Sequence, residues 1–132
     1  MNVKVFLPCE KVVNRRSGNT DVLGIGLENV FFPATEEKEY HETIINFFCI
    51  IDFEPLEAGN VKTCKVALVC PDGSTLSETK EFNFKISEEK ASKVRLGGEF
   101  PIKTNKSGRH SMKLVVDHKV EAEWPLNIKI GS

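Results

Sequence analysis

Apolar and polar residues alternate with a period of two along most of the chain, and helical periodicity is nearly absent. The alternating segments are separated by Gly-, Pro- and Asn-rich turn signals, which predicts an antiparallel β-sandwich or barrel of about eight strands. A short helical turn at residues 87–92 is the one expected exception. The predicted strands cover residues 3–7, 23–27, 41–53, 63–70, 82–86, 94–102, 110–116 and 120–130. Pro8 limits the first, in which Val3, Val5 and Leu7 alternate with Lys4 and Phe6, and Gly97-Gly98 breaks the sixth.

The segment from His41 to Phe53 is the most apolar part of the sequence, and both of its faces are nonpolar. Its β-branched and aromatic residues favour a central strand over a helix. Ile44, Phe48 and Ile50 share the parity opposite to the inward row, so they form an apolar outer face. We expect that face to be covered by a loop, a partner or a second copy of the chain.

The segment from Gly108 to Ile130 holds two histidines, several carboxylates and the single tryptophan, and its alternation predicts a β-hairpin that turns near Asp117-His118-Lys119. His110 begins the inward row and is expected to be a hydrogen-bonded core residue. His110 and His118 lie at opposite ends of one strand, roughly 25 Å apart, which is too far for one metal ion. Glu121 and Glu123 share the opposite parity and are expected to be surface charges.

Composition and charge narrow the function classes. The chain has 132 residues, of which 40% are hydrophobic and 28% charged, with a net charge of -1. This size predicts a single domain, residues 1–130, with Gly131-Ser132 interpreted as a cloning remnant. A near-neutral chain lacks the electrostatic footprint of a nucleic-acid or anionic-membrane binder. Neither a signal peptide nor a membrane segment is apparent, so we expect a cytoplasmic protein.

The four cysteines are expected to be buried thiols in a reducing compartment, because no secretory signal accompanies them and no Cys-x-x-Cys pair is present. Cys9-Glu10-Lys11 is the best candidate for a nucleophile, since a lysine can lower a thiol pKa, but a thiol at a strand end is the favoured interpretation. The sequence predicts no catalytic residue, no metal site and no cofactor. Gly24-Ile25-Gly26 lacks the third glycine of a dinucleotide site.

One stretch of the hairpin carries a family resemblance. Gly108-Arg109-His110, followed by alternating apolar residues, resembles the penultimate strand of immunoglobulin-like sandwich domains, with His110 in place of their tyrosine. Together with Leu7-Pro8-Cys9 and Pro71-Asp72-Gly73, the order of segments resembles a group of small uncharacterised bacterial all-β proteins. The resemblance implies an immunoglobulin-like antiparallel β-sandwich and a bacterial or phage intracellular origin, and it brings no known catalytic residue.

These observations predict a non-enzymatic protein-interaction or structural module that acts through loops or an edge strand. A protein partner is expected, and a second copy of the chain in a homodimer is one such partner. Nucleic acid and membrane are not expected as partners. The expected surface comprises Ile44, Phe48, Ile50, Arg15, Arg16, Lys103, Lys106 and Arg109. Two alternatives stay open: a small ligand- or metal-binding enzyme with a site at one end of the sandwich, and a phage- or defence-related protein whose basic loops recognise a nucleotide or a host protein.

Overall fold

The computed structural model of the protein describes residues 1–33, 39–86 and 93–131, and these residues form an all-β chain with several sheets in a sandwich-like arrangement. One sheet has three strands in the order β1-β5-β9, a second has six, and β2 pairs with β3 in a separate hairpin. The strands are β1 (Asn2–Cys9), β2 (Lys11–Asn14), β3 (Thr20–Leu23), β4 (Asn29–Phe32), β5 (His41–Asp52), β6 (Val61–Val69), β7 (Thr75–Glu78), β8 (Phe82–Lys85), β9 (Lys93–Thr104), β10 (Gly108–Val116) and β11 (Lys119–Ile130).

The core lies between the inner faces of the two larger sheets. Cys49, Ile51 and Phe100 come from β5 and β9, and they meet Leu68 and Leu114 of the six-stranded sheet in one buried cluster. Alternation along β9 and β10 places every second side chain in this cluster, as the period of two requires. The predicted all-β class is therefore confirmed, and so is the inward row of the strand at residues 41–53.

One pairing departs from the predicted antiparallel order. β4 pairs with β11 in parallel, with Val30 opposite Ile128, while the other ladders among the described residues are antiparallel. A parallel pair needs a long connection, and here most of the chain lies between its two strands. The expectation of a wholly antiparallel sandwich was wrong at this edge, and the immunoglobulin-like strand order stays a prediction.

The first strand is longer and differently phased than predicted. β1 runs through Pro8 to Cys9, and its register against β5 shifts between Val3 and Val5. This bulge changes the alternation, and Phe6, which the pattern had set on the parity opposite to Val3, Val5 and Leu7, is buried. Pro8 is tolerated because β1 is the last strand of its sheet and needs no second ladder on that side.

Of the predicted strand at residues 23–27, only Leu23 belongs to a strand, and the rest is a loop. Gly24 and Gly26 have φ of 63° and 82°, which a strand cannot contain. Two hydrogen bonds fix the loop: the Gly26 amide donates to the Pro8 carbonyl at 3.0 Å, and the indole of Trp124 donates to the Leu27 carbonyl at 2.9 Å. Leu23 and Ile25 are consequently exposed rather than inward.

The hairpin between β10 and β11 turns at Asp117 and His118, as predicted. Their φ values of 49° and 66° are those of a two-residue type I′ turn, whose twist matches that of the flanking strands. The Asp117 carboxylate also accepts a hydrogen bond from the Thr63 amide at 3.0 Å, which ties the turn to β6.

We expect His118→Gly to raise the free energy of unfolding by about 1 kcal/mol, because glycine occupies the left-handed region without the steric cost that histidine carries. His118 is exposed. Urea unfolding of the two proteins measures the difference. His118→Ala is the matched control, which removes the imidazole and keeps the β-carbon; a gain of the same size in the control would contradict the role given to φ.

The predicted helical turn at residues 87–92 lies outside the described residues, as does Ser132. The described part of the chain has a single helical element, a 3₁₀ turn at Pro55–Glu57. No helix in residues 1–33, 39–86 and 93–131 has the length and apolarity to cross a membrane.

Candidate interaction surface

The outer face of the β1-β5-β9 sheet is partly covered by the chain itself. The β2–β3 hairpin lies over it: Val12 would approach a β-carbon at Gly97 to 3.3 Å, and Gly97 pairs with Phe48. The Asn46 side chain donates to the Glu10 carbonyl at 2.8 Å, which holds the start of β2 against β5. Of the three outer residues singled out by the sequence, Phe48 is only 8% exposed, Ile50 is half-buried and Ile44 is 63% exposed.

Ile44 lies beyond the hairpin, in an open groove of about 1040 Å³ between β5, β9 and β7. Pro101 is its neighbour on β9, and Leu76 stands on the β7 side. The Lys103 amide donates to the Ser77 hydroxyl at 3.2 Å, so β7 closes against this end of β9. The Lys103 ammonium lies 3.7 Å from the Glu42 carboxylate and 4.8 Å from the centre of the Tyr40 ring.

β9 is a long strand with one partner. Along all twelve residues it pairs with β5 in an unbroken register, and within the described residues no other strand pairs with it. The Lys103 amide points away from β5, toward Ser77. Residues two apart in a strand share this orientation, so the backbone N–H and C=O groups of Arg95, Gly97 and Glu99 face the open side.

The side chains along this edge alternate between the two faces. Arg95 and Glu99 are exposed on the outer face, and the Arg95 guanidinium donates to the Gly18 carbonyl at 3.4 Å. Leu96 and Gly98 point inward, toward a cleft of about 290 Å³ that Phe82 lines from the opposite sheet. An added strand would therefore meet a charged outer face and an apolar inner face.

The five basic residues of the expected surface do not come together. Arg15 and Arg16 lie in the β2–β3 turn, and Arg15 is paired with Asp21. That turn lies near Arg95, whereas Lys103 is eight residues further along β9, roughly 26 Å away. Lys106 pairs with Asp72 at 3.2 Å, and Arg109 is the second residue of β10. The structure therefore distributes these five residues over separate parts of the surface.

His110 is a buried, internally bonded residue. Its Nδ1–H donates to the Gly108 carbonyl at 3.0 Å, and its Nε2 accepts from the Thr104 hydroxyl at 2.8 Å. Burial lowers the pKa of His110 below its ordinary value, because the charged imidazolium would be desolvated. At the other end of the hairpin, Glu123 is exposed and lies 3.4 Å from Lys113, an ordinary surface pair.

We expect the protein to lose stability as the pH falls below about 6.5, because His110 takes up a proton in the unfolded chain before it does so in the fold. The contribution of His110 to the free energy of unfolding is fully present above the pKa that it has in the unfolded chain. It is lost as the pH falls toward the lower pKa that it has in the folded protein. Urea midpoints measured at neutral pH and near pH 5 test this. His110→Gln should reduce the pH dependence, and the exposed His118→Gln should not; equal effects of the two would contradict the assignment.

All four cysteines are buried with free thiols, as the sequence predicted. Desolvation raises the pKa of Cys49 and of Cys64 to about 12, and it also raises that of Cys9. A thiol with a raised pKa is a weak nucleophile, so Cys9 does not have the activated environment that its neighbour Lys11 suggested. Among the described residues, no three His, Cys, Asp or Glu side chains gather so as to hold a metal ion.

A model of a protein family described as "Family of unknown function (DUF6941)" matches residues 4–129. No curated protein matches the sequence. Similar solved structures include a glycosyl hydrolase family 2 member from Bacteroides cellulosilyticus (13% identity, TM-score 0.46, 66% of this chain and 12% of that chain). Another is the alkylpurine DNA glycosylase AlkC from Pseudomonas fluorescens (12% identity, TM-score 0.45, 76% of this chain and 27% of that chain). At these scores the likeness supports no function.

Proposed function

We propose that this chain, which belongs to the DUF6941 family of unknown function, is a non-enzymatic protein-interaction module that adds an extended partner segment to the open edge of β9. The observation that supports this most directly is that, among the residues the structure describes, no strand pairs with β9 on its side at Arg95, Gly97 and Glu99. Strand addition draws affinity from main-chain hydrogen bonds and specificity from alternating side chains.

The edge defines the chemistry of the segment it would accept. Arg95 calls for an acidic side chain opposite it on the outer face, and Glu99 calls for a basic one. Charges on an edge strand usually discourage pairing with other chains. Here the two charges differ in sign, so they select a complementary strand rather than exclude every strand. The inner face, at Leu96 and Gly98, favours apolar residues.

The burial of the reactive groups supports a binding role over a catalytic one. His110 uses both ring nitrogens within the core, and Cys49 and Cys64 have raised pKa values because they are buried. A general base or a nucleophile has to reach a substrate, and none of these three groups faces the grooves beside β9.

The test is a synthetic probe peptide of alternating Val and Thr, with Asp placed opposite Arg95 and Lys opposite Glu99. Bound peptide should slow amide hydrogen exchange at Arg95, Gly97 and Glu99. Glu99→Pro should abolish the binding seen by fluorescence anisotropy, because it removes an outward N–H while leaving the ladder to β5 intact. Glu99→Ala is the matched control, and it should weaken binding only modestly.

If the three amides exchange at the same rate with and without peptide, strand addition at this edge is wrong. Binding that survives Glu99→Pro in a folded variant would contradict it as well. Circular dichroism and the urea midpoint of each variant establish that the fold is retained.

A further inference from the structure

We infer that the extended segment accepted by β9 is β9 of a second copy of this chain, paired antiparallel about a two-fold axis at Gly97. This inference rests on the proposed function and goes further, because it names the partner and the register. The dimer would join two three-stranded sheets, β1-β5-β9 of each copy, into one continuous six-stranded sheet.

The open part of β9 is symmetric about Gly97. This open segment begins at Lys93, the first residue of β9, and ends at Pro101, which has no N–H. Beyond Pro101, the Lys103 amide is already hydrogen-bonded to Ser77. Gly97 lies midway between Lys93 and Pro101. A two-fold axis at the centre of the open segment uses its whole length, whereas any other axis position leaves outward N–H and C=O groups of one end unpaired.

The backbone orientation fits this register. Arg95, Gly97 and Glu99 all point their N–H and C=O groups outward. An axis at Gly97 places Gly97 opposite Gly97, and Arg95 opposite Glu99, so every facing pair can exchange both of its hydrogen bonds. The core of the interface would hold about six backbone hydrogen bonds. A register moved by one residue would set outward groups against residues whose groups bond to β5.

The charges along β9 complement each other in the same register. The Arg95 guanidinium of one copy lies opposite the Glu99 carboxylate of the other, and the symmetry repeats the pair. Cross-strand partners lie on the same face, and both of these side chains are exposed on the outer face. The charged side chains on the β9 edge therefore favour antiparallel pairing with a second copy of β9.

Side-chain sizes complement each other as well. Gly97 places no side chain at the axis, so the two backbones can approach closely there. The next pair sets Leu96 against Gly98 of the second copy, a large residue against a small one, on the face that opens into the cleft lined by Phe82. Half-buried Leu96 would lose its remaining exposure in this contact.

Charge reversal tests the register by sedimentation equilibrium. The wild-type chain should form dimers. Arg95→Glu and Glu99→Arg should each raise the dimer dissociation constant by about tenfold or more, because each places like charges opposite each other twice. An equimolar mixture of the two variants should form dimers again, since every facing pair is then of opposite sign. The double variant should regain the affinity of the wild type.

The matched controls are Arg109→Glu and Glu121→Arg, which make the same changes of charge at exposed positions outside β9. They should leave the dissociation constant unchanged. A wild-type chain that stays monomeric at the highest concentration reached, or a dimer indifferent to both reversals, overturns the inference. A monomer whose Arg95, Gly97 and Glu99 amides are still protected by the probe peptide retains the proposed function, whereas a monomer without that protection overturns both.

Discussion

Replacing Phe48 by aspartate is expected to lower the free energy of unfolding by about 3–5 kcal/mol, a large fraction of the total for a domain of ordinary stability. Phe48 of β5 is only 8% exposed, on the face over which the β2–β3 hairpin lies, and the Val12 side chain of that hairpin lies over its neighbour Gly97. The substitution removes the buried ring and leaves a carboxylate that has no partner there, so the loss of apolar burial and the desolvation of a charge add.

Ile44→Asp is the matched control for this prediction. It lies on the same face of the same strand, four residues away, but it is 63% exposed because the hairpin does not reach it. We expect its cost to stay below about 1 kcal/mol. Urea unfolding followed by circular dichroism measures both variants. Equal costs at the two positions would mean that the hairpin does not cover Phe48 in solution.

This pair of variants also separates stability from association. An apolar outer face on β5 had suggested a self-association surface that includes Phe48. Since the chain covers Phe48 with its own hairpin, a Phe48→Asp variant that fails to dimerise would report a destabilised fold rather than a broken interface. Ile44 stays accessible in the groove beside β7, so only variants at Ile44 can test that face for binding.

The native thiols of Cys49 and Cys64 are expected to react with a disulfide reagent at least about a thousandfold more slowly than the same thiols in the unfolded chain. Their pKa values are raised to about 12 from 9.0, which lowers the thiolate fraction by roughly that factor at pH 8, and burial slows access further. The measurement is reagent absorbance with and without denaturing urea.

Lys119→Cys provides the exposed control thiol, since this residue lies at the solvent-facing start of β11. It should react at the rate of a free thiol in the folded protein. Fast labelling of native Cys49 or Cys64 would contradict both the burial and the raised pKa. The same shifts predict a stability change: because the folded thiols hold their protons longer, stability should be lost as the pH rises above about 9.

The strands with strong alternation were predictable from the sequence. β5 and the β10–β11 hairpin have apolar rows long enough to fix both the type of element and its inward face. The turn at Asp117 and His118 was placed correctly because polar residues interrupt two such rows. His110 was placed in the core because it shares the parity of Met112 and Leu114.

Of the four-residue strands, β8 was predicted, but β2, β3, β4 and β7 were not, because they are too short to show a period. β4 in addition depends on a distant strand, β11, for its ladder. The strand predicted at residues 23–27 was wrong because Leu23, Ile25 and Leu27 alternate like a strand, whereas Gly24 and Gly26 between them adopt positive φ. The sign of φ at a glycine cannot be known from its neighbours' polarity.

The sequence predicted that the interaction surface includes an edge strand, but not which strand forms that edge. An edge strand was expected from the all-β class, but which strand has an open side depends on the order of strands in the sheet, and no residue of β9 encodes that order. The Gly97-Gly98 pair had suggested an interruption of this strand. The structure shows instead that a hairpin residue, Val12, needs the space above Gly97.

The parallel pairing of β4 with β11 has a consequence for how the chain folds during synthesis. Val30 cannot form its ladder until Ile128 has left the ribosome, so the six-stranded sheet is completed only when nearly the whole chain is available. Contacts of such long sequence separation slow folding. Until then Phe32, which the finished fold buries, and the unpaired edge of β4 stay open to other chains, so we expect the nascent protein to bind chaperones that recognise extended apolar segments.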